Sequence, residues 1–81
     1  MRLRVLLFAH LVDRLGLREL EVELAEPATV GGLRAAVVGR YPELSELLRG
    51  CAVAVNLSYE GDRCAIGVGD ELALIPPVSG G

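Results

Sequence analysis

Lysine and tryptophan are absent from this chain of 81 residues, histidine occurs once, and Phe and Tyr together supply only three positions. Without lysine there is no Schiff-base nucleophile and no side-chain amine to accept an isopeptide bond within the chain. The single imidazole, His10, leaves a metal cluster or a Ser-His or Cys-His dyad without its usual partners. Two cysteines, Cys51 and Cys64, lack the CxxC spacing of metal and redox sites and read as small buried hydrophobes. A net charge of −3 with no basic stripe argues against nucleic acid as a partner. The one early apolar run, Val5 to Ala9, is too short for a signal peptide and far too short to span a bilayer. These absences predict a soluble cytoplasmic protein that uses neither membrane nor nucleic acid.

What is present is aliphatic. Hydrophobic residues make up 52% of the chain and aromatics 4%, so the core must be built from Leu, Val, Ile and Ala. A chain of this size forms one small domain and hides only somewhat more than about 60% of its unfolded surface. Some of that apolar surplus is therefore expected to stay outside as a partner-binding face.

Arg2 to Ala9 alternates as a strand, with Leu3, Val5 and Leu7 on one face and Arg2, Arg4, Leu6 and Phe8 on the other. His10 to Leu15 predicts a short helix stopped by Gly16. In Leu17 to Leu24 the residues Leu20, Val22 and Leu24 alternate with Glu19, Glu21 and Glu23, the pattern of a half-buried strand whose carboxylates protect a sheet edge. Glu26 to Thr29 reads as a loop ending in a threonine N-cap, and Val30, Leu33, Ala36 and Val37 then mark a helix to about Arg40. Gly31, Gly32 and Gly39 weaken that helix, and Gly31-Gly32 lacks both the pattern and the lysine of a phosphate loop. A short helix is expected over Glu43 to Arg49, stopped by Gly50. Cys51 to Leu57 reads as a strand, Glu60-Gly61-Asp62 as a turn, Arg63 to Ile66 as a short strand and Gly67 to Asp70 as another turn. Glu71 to Ile75 is apolar on both faces after its first residue, which places it inside a sheet. The order predicts an α+β fold, a mixed sheet packed on one main helix in the ubiquitin-like β-grasp arrangement, spanning residues 1–75.

Pro76 and Pro77 end the last strand by removing two backbone donors, and Val78, Ser79, Gly80 and Gly81 follow as an extended tail over residues 76–81. Gly80 and Gly81 carry no Cβ and can enter a channel too narrow for side chains. The α-carboxylate of Gly81 is ionised at neutral pH and is the one reactive group at the tip, able to attack the α-phosphate of ATP in a partner's site.

The segments VLLFAHLVDRLG, TVGGL, AVN and GDELALIPPVSGG resemble the MoaD family, the small subunits of molybdopterin synthase, and the likeness covers essentially the whole chain. The resemblance implies a sulfur carrier with no catalytic group and no bound cofactor of its own. A MoeB-like, E1-like enzyme would adenylate Gly81 using ATP, and a sulfur donor would convert the acyl-adenylate to a thiocarboxylate. A MoaE-like large subunit, in a heterotetramer, would then use that sulfur on cyclic pyranopterin monophosphate, with Gly80, Ser79, Val78, Pro77 and Pro76 delivering the tip. It also implies that Phe8, Tyr59 and Ile75 dock the partners, although Ile75 stands where an aromatic is common and Tyr59 is a more polar choice. Two readings stay open beside it: a carrier feeding thiamine thiazole or tRNA thiolation, and an interaction module whose tail has no chemistry.

Overall fold

The computed structural model describes residues 1–77, arranged around a five-stranded mixed sheet. Its strands are β1 (Arg2–Leu7), β2 (Glu19–Glu23), β4 (Ala52–Val55), β5 (Ser58–Glu60) and β7 (Leu72–Ile75), in the order β2-β1-β7-β4-β5. A separate two-stranded ribbon joins β3 (Ala28–Thr29) to β6 (Ala65–Ile66). Helix α1 (His10–Leu15) fills the turn between β1 and β2, α2 (Val30–Arg40) covers the sheet, and α3 (Ser45–Arg49) follows a single 3-10 turn over Pro42–Leu44. This is the ubiquitin-like β-grasp.

The central position of β7 follows from its composition. It pairs in parallel with β1 and antiparallel with β4, so both of its edges are hydrogen-bonded and both faces need cover. Leu72 and Leu74 point to the inner face, where they join Val5, Leu7 and Val53 against Leu33 and Val37 of α2, all buried. Leu33 has no exposed surface, and truncating so well-packed a leucine to alanine costs about 2–5 kcal/mol. Pro76 stops the ladder after Ile75, as the sequence requires.

Helix α2 begins as expected: the Thr29 hydroxyl accepts a hydrogen bond from the amide of Gly32 at 3.2 Å. Its early glycines have a packing reason. The Gly31 amide donates to the Asp62 carbonyl at 2.9 Å, and a Cβ at Gly31 would sit 3.2 Å from the Asp62 side chain. Gly16, at φ +69°, closes α1 in the left-handed conformation that glycine adopts freely.

Two short strands depart from the sequence reading. Ala28–Thr29, read as loop, pairs with β6, because the chain entering α2 runs beside Ala65–Ile66. Ser58–Glu60, of which Ser58 and Tyr59 carry no assignment from the sequence and Glu60 reads as turn, forms the outer edge beside β4. All three of its residues are exposed, so no burial alternation marks it. Arg63 to Ile66, read as a short strand, contributes only Ala65–Ile66, and that pairs in the separate ribbon.

Candidate functional site

The parity that buries Leu3, Val5 and Leu7 turns Arg2, Arg4 and Leu6 outward, and strand register extends this outer face across the sheet. Leu6 stands opposite Glu19 on one side and Ala73 on the other, Ala73 opposite Ala54, and Ala54 opposite Tyr59. Directly opposed residues share a face, so one row crosses all five strands from a carboxylate to a phenol.

The outer face divides along β1. On the β2 side the carboxylates meet arginines: Arg2 donates to Glu23 at 3.2 Å, and the Arg4 guanidinium lies 3.8 Å from Glu19. On the β7–β4–β5 side the face is apolar and hollow. Ala73 and Ala54 form its floor because neither side chain extends beyond Cβ. Leu6, Phe8, Ile75, Tyr59 and Leu57 form its walls, with Glu71 at one margin, enclosing a cavity of about 210 Å³. Phe8 is 46% exposed and Tyr59 69%, although both are large and apolar for most of their length. The cavity is smaller than the roughly 300–1,000 Å³ of small-molecule sites and suits a protruding side chain of a partner.

The three docking residues expected from the sequence, Phe8, Tyr59 and Ile75, thus stand around one hollow, although three different segments supply them. Leu6, which the strand alternation sets on the same face as Phe8, completes it together with Ala54, Ala73 and Leu57. The period-two pattern of β1 and β7 carried a signal for Leu6 and Ala73, while Leu57 depended on recognising the β4–β5 hairpin.

Backbone strain gathers at this rim. The positive-φ non-glycine residues among the described positions are Ala9, Asn56 and Leu57, at +54°, +52° and +71°. Ala9 follows Phe8, and Asn56-Leu57 forms the two-residue tip between β4 and β5, where positive φ at both positions matches the twist of the strands. Asn56 pins that tip. Its amide donates to the Glu71 carbonyl at 2.7 Å, its side-chain oxygen accepts from the Glu71 amide at 2.9 Å, and its Nδ2 donates to Asp70 at 3.0 Å. The Gly67 amide also donates to Asp70, at 2.8 Å. These donors, Asn56 first, hold the Asp70 carboxyl below the usual carboxylate range.

A larger trough of about 690 Å³ lies on the other side of the molecule, between α2 and α3. Its principal polar group is already employed. Arg34 donates to the carbonyls of Leu48 at 2.8 Å and Cys51 at 2.7 Å and to the Asp62 carboxylate at 3.0 Å, tying α2 to α3, to the residue that leads into β4 and to the Asp62 loop. Neither cysteine offers a nucleophile. Burial pushes the Cys51 thiol up, with Arg34 opposing weakly, and desolvation with the Glu60 and Asp70 carboxylates pushes Cys64 up, so both remain thiols at neutral pH. No helix among the described residues is long and apolar enough to cross a membrane.

Strand β7 runs beneath the hollow, and the chain leaves it by the buried Pro76 and then Pro77. The Pro77 ring lies against Gly50, where an added Cβ would be 3.3 Å away. Val78, Ser79, Gly80 and Gly81, to which the sequence assigns tail delivery and the reactive carboxylate, lie outside the described residues.

Known proteins share both the sequence and this architecture. The molybdopterin synthase sulfur carrier subunit of Chlamydomonas reinhardtii is 36% identical, with 100% of each chain covered. Small archaeal modifier protein 1 of Haloferax volcanii is 40% identical over 93% of this chain and 95% of its own. A crystal structure of that protein, aligned at 36% identity over 100% of both chains, gives a TM-score of 0.85. A complex of subunits 1 and 2 of molybdopterin-converting factor from Helicobacter pylori contains a chain 26% identical to this one, with a TM-score of 0.69 and 100% of both chains covered. The model of the ThiS family matches residues 5–81, from the middle of β1 through the hollow to the C-terminal glycines of the sequence, and the chain belongs to that family.

Proposed function

We propose that this protein is the sulfur-carrier subunit of a molybdopterin synthase, with the Gly81 carboxylate as its reactive group. An E1-like adenylating enzyme of the MoeB type binds ATP, and the carboxylate attacks the α-phosphate, releasing pyrophosphate. A sulfur donor then forms a carbon–sulfur bond at Gly81 as the carbon–oxygen bond to AMP breaks, leaving a thiocarboxylate. A MoaE-like large subunit accepts the loaded tail in a heterotetramer and transfers the sulfur to cyclic pyranopterin monophosphate during molybdenum cofactor biosynthesis. The carrier needs no bound cofactor, since the partners supply ATP and every acid and base. Phe8, Tyr59 and Ile75 dock the partners, and residues 76–80 deliver the tip.

The observation that carries this reading is the apolar hollow over β7, the strand that leads directly into PPVSGG. A partner seated there receives the tail from the strand it covers. The full-length likeness to sulfur carrier subunits and the subunit 1–subunit 2 complex of H. pylori support the choice of pathway.

Co-expression with the adenylating enzyme and a sulfur source tests it. The intact mass should shift by one oxygen-to-sulfur exchange located on Gly81, and deleting Gly81 should abolish molybdopterin synthesis in a reconstituted system. No shift, with a control carrier loaded in parallel, sinks the proposal.

The 40% identity to a small archaeal modifier protein favours a second reading, in which Gly81 is joined to amines of other proteins. Recovery of Gly81-linked lysine peptides from cells, without a thiocarboxylate, would select it.

A further inference from the structure

We infer that Leu57 is a specificity-determining contact for the large-subunit partner, held out by the fold against leucine's own conformational preference. The inference rests on the docking face proposed above. Leu57 occupies the second position of the β4–β5 turn, where φ is +71° and glycine is the ordinary occupant. It is 86% exposed, so burial within this chain does not offset the strain of that conformation. Strained non-glycine residues persist where their surroundings over-determine them, and those positions gather at binding sites. Here the surroundings are the three Asn56 hydrogen bonds to Glu71 and Asp70, which fix the turn whatever residue follows Asn56.

Leu57 also lines the same hollow as Phe8, Tyr59 and Ile75, at the opposite end of β7 from the tail. A partner that covers Phe8 and Ile75 and receives the tail reaches Leu57 by continuing along β7. Glu71 stands beside Leu57 at that margin, and its carboxylate has no ion-pair partner among the described residues. The fitting surface is therefore an apolar projection flanked by a basic side chain. The occupant is the large subunit, because the H. pylori complex brings a chain of this fold together with a subunit 2.

The test is calorimetric titration of the full chain into the molybdopterin synthase large subunit of the same genome, comparing wild type, Leu57→Asn, Leu57→Gly and Phe8→Ala, with a melting curve for each. Asparagine tolerates positive φ and removes the apolar contact. The expected result is an affinity loss of about five- to thirtyfold for Leu57→Asn, the range of a substantial interface side chain, with a melting temperature at or above that of wild type. Wild-type affinity in both Leu57 variants beside a weakened Phe8→Ala would overturn the inference and leave the docking face standing. A lowered melting temperature in both variants would make Leu57 a fold residue instead. If only binding to the adenylating enzyme falls, or only self-association on sedimentation, the occupant is wrong. No binding by wild type removes the docking reading itself, and this inference with it.

Discussion

The outer sheet face holds two regions built on the same backbone and separated by one strand. Across β2 and β1 both outward arginines have a carboxylate within reach, Arg2 with Glu23 and Arg4 with Glu19. Across β7, β4 and β5 the face is apolar, with two alanines at its floor and Phe8, Leu57 and Tyr59 exposed around it. The first region is finished as a surface, since water and cross-strand partners satisfy it and its carboxylates guard an edge. The second exposes apolar walls that water solvates poorly and that a partner would cover. Strand β1 carries the change within six residues, from Arg2 and Arg4 to Leu6.

If that division is functional, substitutions in the two regions should affect different measurements. The largest expected effect is on binding in the apolar region. Phe8→Ala should weaken affinity for the large subunit about thirtyfold or more, as loss of an aromatic anchor does, while shifting folding stability by less than about 1 kcal/mol because Phe8 is nearly half exposed. Titration and denaturant unfolding of one preparation separate the two readouts. Equal affinity would show that the hollow is not a docking site.

The converse effect is expected at Arg34, on the far side of the molecule. Arg34→Ala should cost about 2–3 kcal/mol of stability, because it removes a charged donor from the Leu48 and Cys51 carbonyls together. The affinity of the fraction that stays folded should not change. A drop in affinity at full folding would mean that the α2–α3 trough also meets a partner.

How much of this was legible in the sequence depended on how local the signal was. The glutamate alternation of β2, the Thr29 cap, the Gly16 stop and the two-faced apolar run of β7 each act through near neighbours, and they gave the sheet, the helices and the β-grasp order. Phe8, Tyr59 and Ile75 came from family resemblance, and only folding shows that they border one hollow. The role of Arg34 could not be read, because its three acceptors lie 14, 17 and 28 positions away. Strand β5 was missed because it is exposed throughout and held only by pairing to β4. By propensity Gly31 only weakens its helix, and its packing reason, Asp62, lies 31 positions along the chain.

A smaller effect is expected in the charged region. Replacing Glu23 with Gln removes an exposed cross-strand pair and should change stability by about 0.5 kcal/mol or less, with large-subunit affinity within about twofold of wild type. A Glu23→Gln variant that loses tenfold in affinity would place the partner across both regions and erase the distinction drawn between them.

The finest distinction concerns the clasp at the end of the hollow. Hydrogen bonds from Asn56 and Gly67 hold the folded-state pKa of Asp70 below its unfolded value. A carboxyl with a depressed folded pKa stabilises the fold above its unfolded value, and that contribution disappears as pH falls through the folded value. Melting temperature followed downward from pH 5 should therefore decline less steeply in Asp70→Asn than in wild type, with a small loss already present at pH 7. Parallel profiles for wild type and Asp70→Asn would show that the clasp is not held by the ionised carboxylate, and the rigid presentation of the Asn56-Leu57 tip would need another cause.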